Sequence, residues 1–165
     1  MIITSNDKFK LRFAEKKDVM LILGFIKELA IYEHLLDEVV ATEEGLCESL
    51  FVNIAAEVII GEYEGKPIGF ALFFHNFSTF LGKPGLYLED IYIQPSFRGL
   101  GLGKIMLSFI GKLAKERQCG RVEWWCLDWN KSSIEFYESL GAQRMKDWTV
   151  FRVSGDDLDN LAKEA

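Results

Sequence analysis

The chain has 165 residues, about half of them apolar, with 25 acidic against 19 basic side chains. That length fits one domain, residues 1–165, with a core large enough to need no metal or disulfide staple. The net charge of −6 is spread along the chain; it argues against a nucleic-acid binder, which would carry a basic patch, and would suit a cationic partner.

Cys47, Cys119 and Cys126 show no C-x-x-C spacing and leave an odd thiol. This points to a reducing compartment. The opening Met1-Ile2-Ile3-Thr4 lacks the basic flank and apolar run of a signal peptide, and the densest apolar stretch, Val19 to Ala30, is interrupted by Lys27 and Glu28. The expectation is a cytoplasmic protein with no membrane span.

The alternation Phe9-Lys10-Leu11-Arg12-Phe13 predicts a first strand. Asp18 stands as an N-cap before Val19, Ile22, Ile26, Leu29 and Ala30 at helical spacing, and Gly24 inside that helix calls for a packing or bending reason. A second helix begins after Thr42 and ends near Phe51. Glu57 to Tyr63 and Ile68 to Phe74 form a hairpin around Glu64-Gly65-Lys66-Pro67. A looser loop, 75–84, precedes a strand from Leu86 to Ile93, which Pro95 stops.

From Gly101 the period becomes helical, with Met106, Phe109, Ile110, Leu113 and Ala114 in one stripe. Val122 to Leu127 reads as a strand. Asn130 caps a short helix that Gly141 terminates, and a last strand, Trp148 to Val153, leads into a helix opened by Ser154. The order is mixed α/β, antiparallel in its first half and with helical crossovers in its second.

The sharpest local signal is Arg98-Gly99-Leu100-Gly101-Leu102-Gly103-Lys104, between a strand and a helix. Alternate glycines remove the side chains that would keep a ligand off the backbone. The amides of Gly99 to Lys104 can then converge on an anion at a helix N-terminus, with Arg98 and Lys104 adding charge. A P-loop fails at both ends, where Arg98 and Ile105 replace the required Gly and Ser or Thr. A dinucleotide fingerprint fails because Lys104 falls at its third glycine.

This R-G-x-G-x-G turn after an Asp-containing apolar strand resembles the acyl-CoA signature of the GNAT superfamily of N-acetyltransferases. Leu86 to Ile93 looks like that family's central strand, and Asp128-Trp129-Asn130 through Phe136-Tyr137 is similar to its W-N-x-x-x-x-x-F-Y segment. The run Ile26 to Glu33 is similar to the first helix of the branch containing spermidine/spermine and thialysine N-acetyltransferases. The resemblance implies a mostly antiparallel sheet flanked by helices, with a parallel splayed pair around the acyl-CoA site. It also implies transfer of acetyl from acetyl-CoA, the co-substrate, to a primary amine.

Such transfer needs a deprotonated amine, a stabilised oxyanion and a proton for the departing thiolate. The resemblance makes Glu89 the base and Tyr137 the acid, whose phenol with a reference pKa of about 10 stays protonated until a thiolate develops. The competing structural readings are a salt bridge for Glu89 and ring packing for Tyr137. Alternation along a strand would point Glu89 and Asp90 to opposite faces. Backbone amides around Ile91, Tyr92 and Ile93 would hold the acetyl carbonyl and pantetheine arm; Asn130 and Ser133 would touch the arm, although capping alone accounts for Asn130.

Tyr32 and Glu33 match the branch's acceptor-binding pair, Glu123, Trp124 and Trp125 a further acceptor segment, and Asp90 joins them. Together with Glu89 they would form an acidic, aromatic cleft for a cation. The loop Phe77-Ser78-Thr79-Phe80 lacks the acidic residue of polyamine acetylators, and Lys146 and Asp147 lie where the family carries a Glu near Trp148. A lysine-like amino acid or short diamine is therefore preferred to a long polyamine. A protein or peptide N-acetyltransferase and a non-catalytic acyl-CoA-binding module are the alternatives. Cysteine catalysis lacks a nearby base, since only His34 and His75 are present and neither adjoins a Cys. No metal spacing appears, and the branch implies a homodimer.

Overall fold

The period-two runs pair into one sheet of six strands. These are β1 (Ile2–Ile3), β2 (Phe9–Phe13), β3 (Glu57–Tyr63), β4 (Lys66–Ser78), β5 (Lys83–Ile93) and β6 (Val122–Trp124), hydrogen-bonded in that order. The structure, a computed structural model, describes residues 1–163. They fall into two compact units, Met1–Trp125 and a second beginning at Cys126. All strand neighbours are antiparallel except β5 and β6, which run parallel and align Leu86 with Val122 and Leu88 with Trp124. A parallel neighbour requires a crossover, and helix α3 (Leu102–Glu116) provides it. This is the expected mixed α/β architecture.

Alternation sends two sets of side chains to two faces. Val58, Ile60, Phe70 and Tyr92 pack with Ile22 and Phe25 of α1 (Val19–Glu33) and with Leu50. Phe25 stacks on Phe70 at 5.8 Å between centroids. The opposite face meets α3: a side chain at Gly61 would stand 2.7 Å from the Phe9 ring and 3.4 Å from the Met106 sulfur. Met106, Ile110, Leu113 and Ala114 are buried there, as their spacing predicts.

Several expectations need correction. Helix α1 starts at Val19, but the Asp18 carboxylate does not cap it. It pairs instead with both terminal nitrogens of Arg12, at 2.6 and 2.9 Å, and accepts the Glu15 N–H. Nothing in the structure explains Gly24, where a Cβ would meet open space. The second helix does form where expected: α2 (Glu43–Cys47) is capped by Thr42 and continues as a π-turn over Glu48–Val52. The segment 75–84 is not a loose loop: β4 and β5 extend along it to a tight turn, where the Ser78 hydroxyl accepts the Leu81 N–H at 3.2 Å.

In the second unit, Asn130 caps α4 (Lys131–Ser139) by accepting the Ser133 N–H at 3.3 Å, and Gly141, at φ 90°, ends it as expected. The expected strand Trp148–Val153 does not form. Its β-forming side chains have no ladder partner among the described residues, and Trp148, Val150 and Phe151 are exposed. The last helix, α5 (Asp156–Ala162), is preceded by Gly155 in a left-handed φ, so Ser154 is not its cap.

Candidate active site

The site in the first unit begins with a defect in β5. Leu72 pairs with Asp90 but Phe73 pairs with Leu88, so Glu89 is an extra residue on the strand. The bulge breaks the alternation that would send Glu89 and Asp90 to opposite faces; Tyr87 and Asp90, three residues apart, now share one face. The ladder to β6 ends at Leu88. From Glu89 to Ile93 the edge of β5 away from β4 therefore has no strand partner among the described residues, which leaves the amides on that edge available around Ile91, Tyr92 and Ile93.

Carboxylates gather beside this bulge. Burial pushes Asp90 up to about 6, and the charges of Glu89 and Glu33 push the same way. Glu33, at the end of α1, is itself raised by burial. Sequence reasoning missed Glu28, whose carboxylate accepts the Gln94 side-chain amide at 3.2 and 3.3 Å and acts on the Tyr92 phenol. Burial first, and then the Glu28 carboxylate, raise the Tyr92 phenol to about 12. The signal was present: Glu28 and Tyr32 are four apart on one helix and so share a face.

The raised Asp90 has a consequence for stability. Its folded pKa lies above the unfolded value of about 4, so between the two the native state holds more protons. Stability from this group therefore falls as pH rises from about 4 to about 6, and stays reduced above. Asp90→Asn should raise unfolding stability at pH 7.5 by on the order of 2 kcal/mol and hardly at all at pH 4. Urea melts at the two pH values check this; equal gains at both would refute it.

Beyond β5, a 3₁₀ turn (Pro95–Phe97) leads into the glycine run. Gly99 and Gly101 adopt φ of 78° and 75°, conformations that favour glycine. Gly103 is different: its φ is ordinary for a helix, and a Cβ there would enter open space. The protein's own packing does not require glycine at 103. The Arg98 amide is taken by the Pro95 carbonyl at 3.1 Å, and the first helical bond runs from Ile105 to Gly101. Among the described residues no acceptor takes the amides of Gly99 to Lys104. These six N–H groups, at the positive end of α3, could hold an anion such as a diphosphate, the cradle that the sequence suggests.

Other expected site residues are held elsewhere. Arg98 does not turn into the cradle: its Nε donates to the Ile93 carbonyl at 3.0 Å and its guanidinium lies 4.4 Å over the Tyr32 ring. Glu123 accepts from Arg121 Nε and Asn76 Nδ2, each at 2.8 Å. Trp124 lies beside Leu88 on β6, and Trp125 meets Tyr87 edge-on at 6.0 Å. Lys104 is exposed in the first turn of α3. In the second unit, Tyr137 lies on α4, its ring 5.4 Å from that of Phe136, with the cap Asn130 and Ser133 at the helix start. The three thiols are half-buried and unbridged. No helix among the described residues is long and apolar enough to cross a membrane.

The signature of the Acetyltransferase (GNAT) family matches residues 28–142, a span that contains the bulge, the cradle and α4. The chain belongs to the GNAT acetyltransferase family. It is 35% identical to a thialysine N-epsilon-acetyltransferase of Bos taurus, over 92% of this chain and 96% of the relative. It is 32% identical to an L-ornithine N5-acetyltransferase of Arabidopsis thaliana, over 93% and 88% respectively. An integron cassette protein from V. cholerae shares the fold, with a TM-score of 0.78 at 24% identity over 94% of this chain and 98% of that one. This GNAT protein is an acetyl-CoA-dependent N-acetyltransferase.

Proposed function

We propose that the acceptor is a small cationic amine, a lysine-like diamino acid or short diamine rather than a long polyamine. The observation that carries this reading is the cluster of Glu33, Glu89 and Asp90, in which burial first, and then the charges of Glu89 and Glu33, push Asp90 up to about 6. A bound ammonium group would offset those negative charges, so the site favours a cation. The relatives named for thialysine and ornithine, both amino acids with a side-chain amine, lend further support. At the turn from β4 to β5, Ser78 is committed to its own hydrogen bond, and no carboxylate lies between Phe77 and Phe80.

Acetyl-CoA supplies an activated acetyl thioester. The cradle fits its diphosphate: the amides of Gly99 to Lys104 have no acceptor among the described residues, and Gly103 leaves clear the space a side chain would fill. The β5 edge at Ile91–Ile93 offers amides to the acetyl carbonyl. Glu89, exposed on the bulge, accepts the proton of the acceptor's ammonium, directly or through water. Tyr137 gives its hydroxyl proton to the departing sulfur. Asn130 and Ser133 order the start of α4, and through it the position of Tyr137 along that helix.

The working unit is a single catalytic domain over 1–165, cytoplasmic, with its thiols kept reduced. We assign it to a homodimer. The exposed Trp148, Val150 and Phe151 belong to a strand-forming run with no ladder partner among the described residues, and a second copy can supply that ladder.

The test is an acceptor panel read by mass spectrometry: ornithine, lysine, short diamines, spermidine, spermine and lysine-containing peptides with acetyl-CoA. Acetylated diamino acids or short diamines as the leading products support the proposal. Acetylated peptides alone, or spermine preferred over every short amine, would reject it.

A further inference from the structure

We infer that Tyr32 serves the donor half of the site, as the platform on which Arg98 holds the glycine turn in its anion-binding shape. The inference rests on the reading of Gly99–Lys104 as the diphosphate cradle. Arg98 immediately precedes the turn. Its amide is bound by Pro95, its Nε by the Ile93 carbonyl at 3.0 Å, and its guanidinium by the Tyr32 ring at 4.4 Å, with Tyr92 at 5.7 Å. Among the described residues no carboxylate pairs with it.

The contact is one of two. Gln94, four residues earlier, donates its side-chain amide to Glu28, and Glu28 lies four residues before Tyr32 on α1. Residues four apart on a helix share a face. One face of α1 thus clamps both ends of the segment 94–98, and the free amides begin directly after the second clamp. Because the guanidinium covers Tyr32, that ring face is not open to a cationic acceptor. Tyr32 and Arg98 are positioning residues: neither needs to touch the diphosphate, and both fix the direction in which the amides after residue 98 point.

Calorimetric titration of CoA into the full chain tests this, with thermal melts to verify folding. Tyr32→Leu should weaken CoA binding by about five-fold, the worth of one exposed cation–π contact, and Arg98→Ala by at least as much, because it also removes the Nε bond to the Ile93 carbonyl. The double variant should lose no more than Arg98→Ala alone, because the contact that Tyr32→Leu removes is already gone in that single. Tyr32→Phe keeps the ring and should keep the wild-type CoA affinity. The KM for the amine selected by the acceptor panel should stay within about two-fold in Tyr32→Leu, whereas a raised amine KM with intact CoA affinity would place Tyr32 on the acceptor side and overturn the inference. Additive losses in the double variant would also overturn it, since Arg98 would then act independently of Tyr32. A wild-type chain that takes up no CoA would remove the cradle itself, a failure separable from that of the clamp.

Discussion

Tyr137→Phe should lower kcat for acetyl transfer by about 10²-fold or more while leaving CoA affinity within about two-fold. The substitution removes one oxygen and keeps the ring that packs on Phe136. The helix around it is held by the Asn130 cap at its start and by the Gly141 turn at its end, and neither involves the hydroxyl. A loss of rate with folding and CoA binding intact therefore isolates the proton. A phenol suits this step because it stays protonated at neutral pH and yields only to the strong base generated as sulfur leaves. Steady-state rates paired with calorimetry check the prediction. A variant with undiminished kcat would assign the proton to water or another residue.

Much of the fold was legible because it rests on local periodicity. The α3 stripe, the Glu57–Phe74 hairpin, the Asn130 cap and the Gly141 stop each follow from residues within a few positions of one another. The glycine turn was legible for the same reason. What the residues alone concealed depends on distant partners. The bulge at Glu89 is created by the register of β4 against β5, and no local feature announces that one residue will be left over.

Asp18 looks like a cap in sequence, but Arg12 on the neighbouring strand offers two charge-assisted bonds and takes its carboxylate. Trp148 to Val153 has strand propensity without a ladder, and propensity alone does not make a strand. Arg98 looked like a phosphate ligand because charge beside a glycine turn suggests one; its stacking on Tyr32 depends on where α1 packs. Glu123 matched an acceptor segment, and only the fold brings Asn76 and Arg121 to its carboxylate.

The cradle at the start of α3 carries the central claim, and Gly103 is where it is most cleanly tested. Gly99 and Gly101 need their left-handed φ, so any replacement there strains the turn and mixes folding with binding. Gly103 has a helical φ, and its absent side chain points into space the protein leaves open. Gly103→Val should therefore leave the melting temperature within a few degrees, about the size of a helix-propensity change. A branched side chain beside the free amides would nonetheless block close approach of a diphosphate, weakening CoA binding by about ten-fold or more. Calorimetry of CoA against the wild-type and Gly103→Val proteins decides the matter: a folded variant with that loss is the predicted result, and a folded variant binding CoA as tightly as wild type would contradict the account.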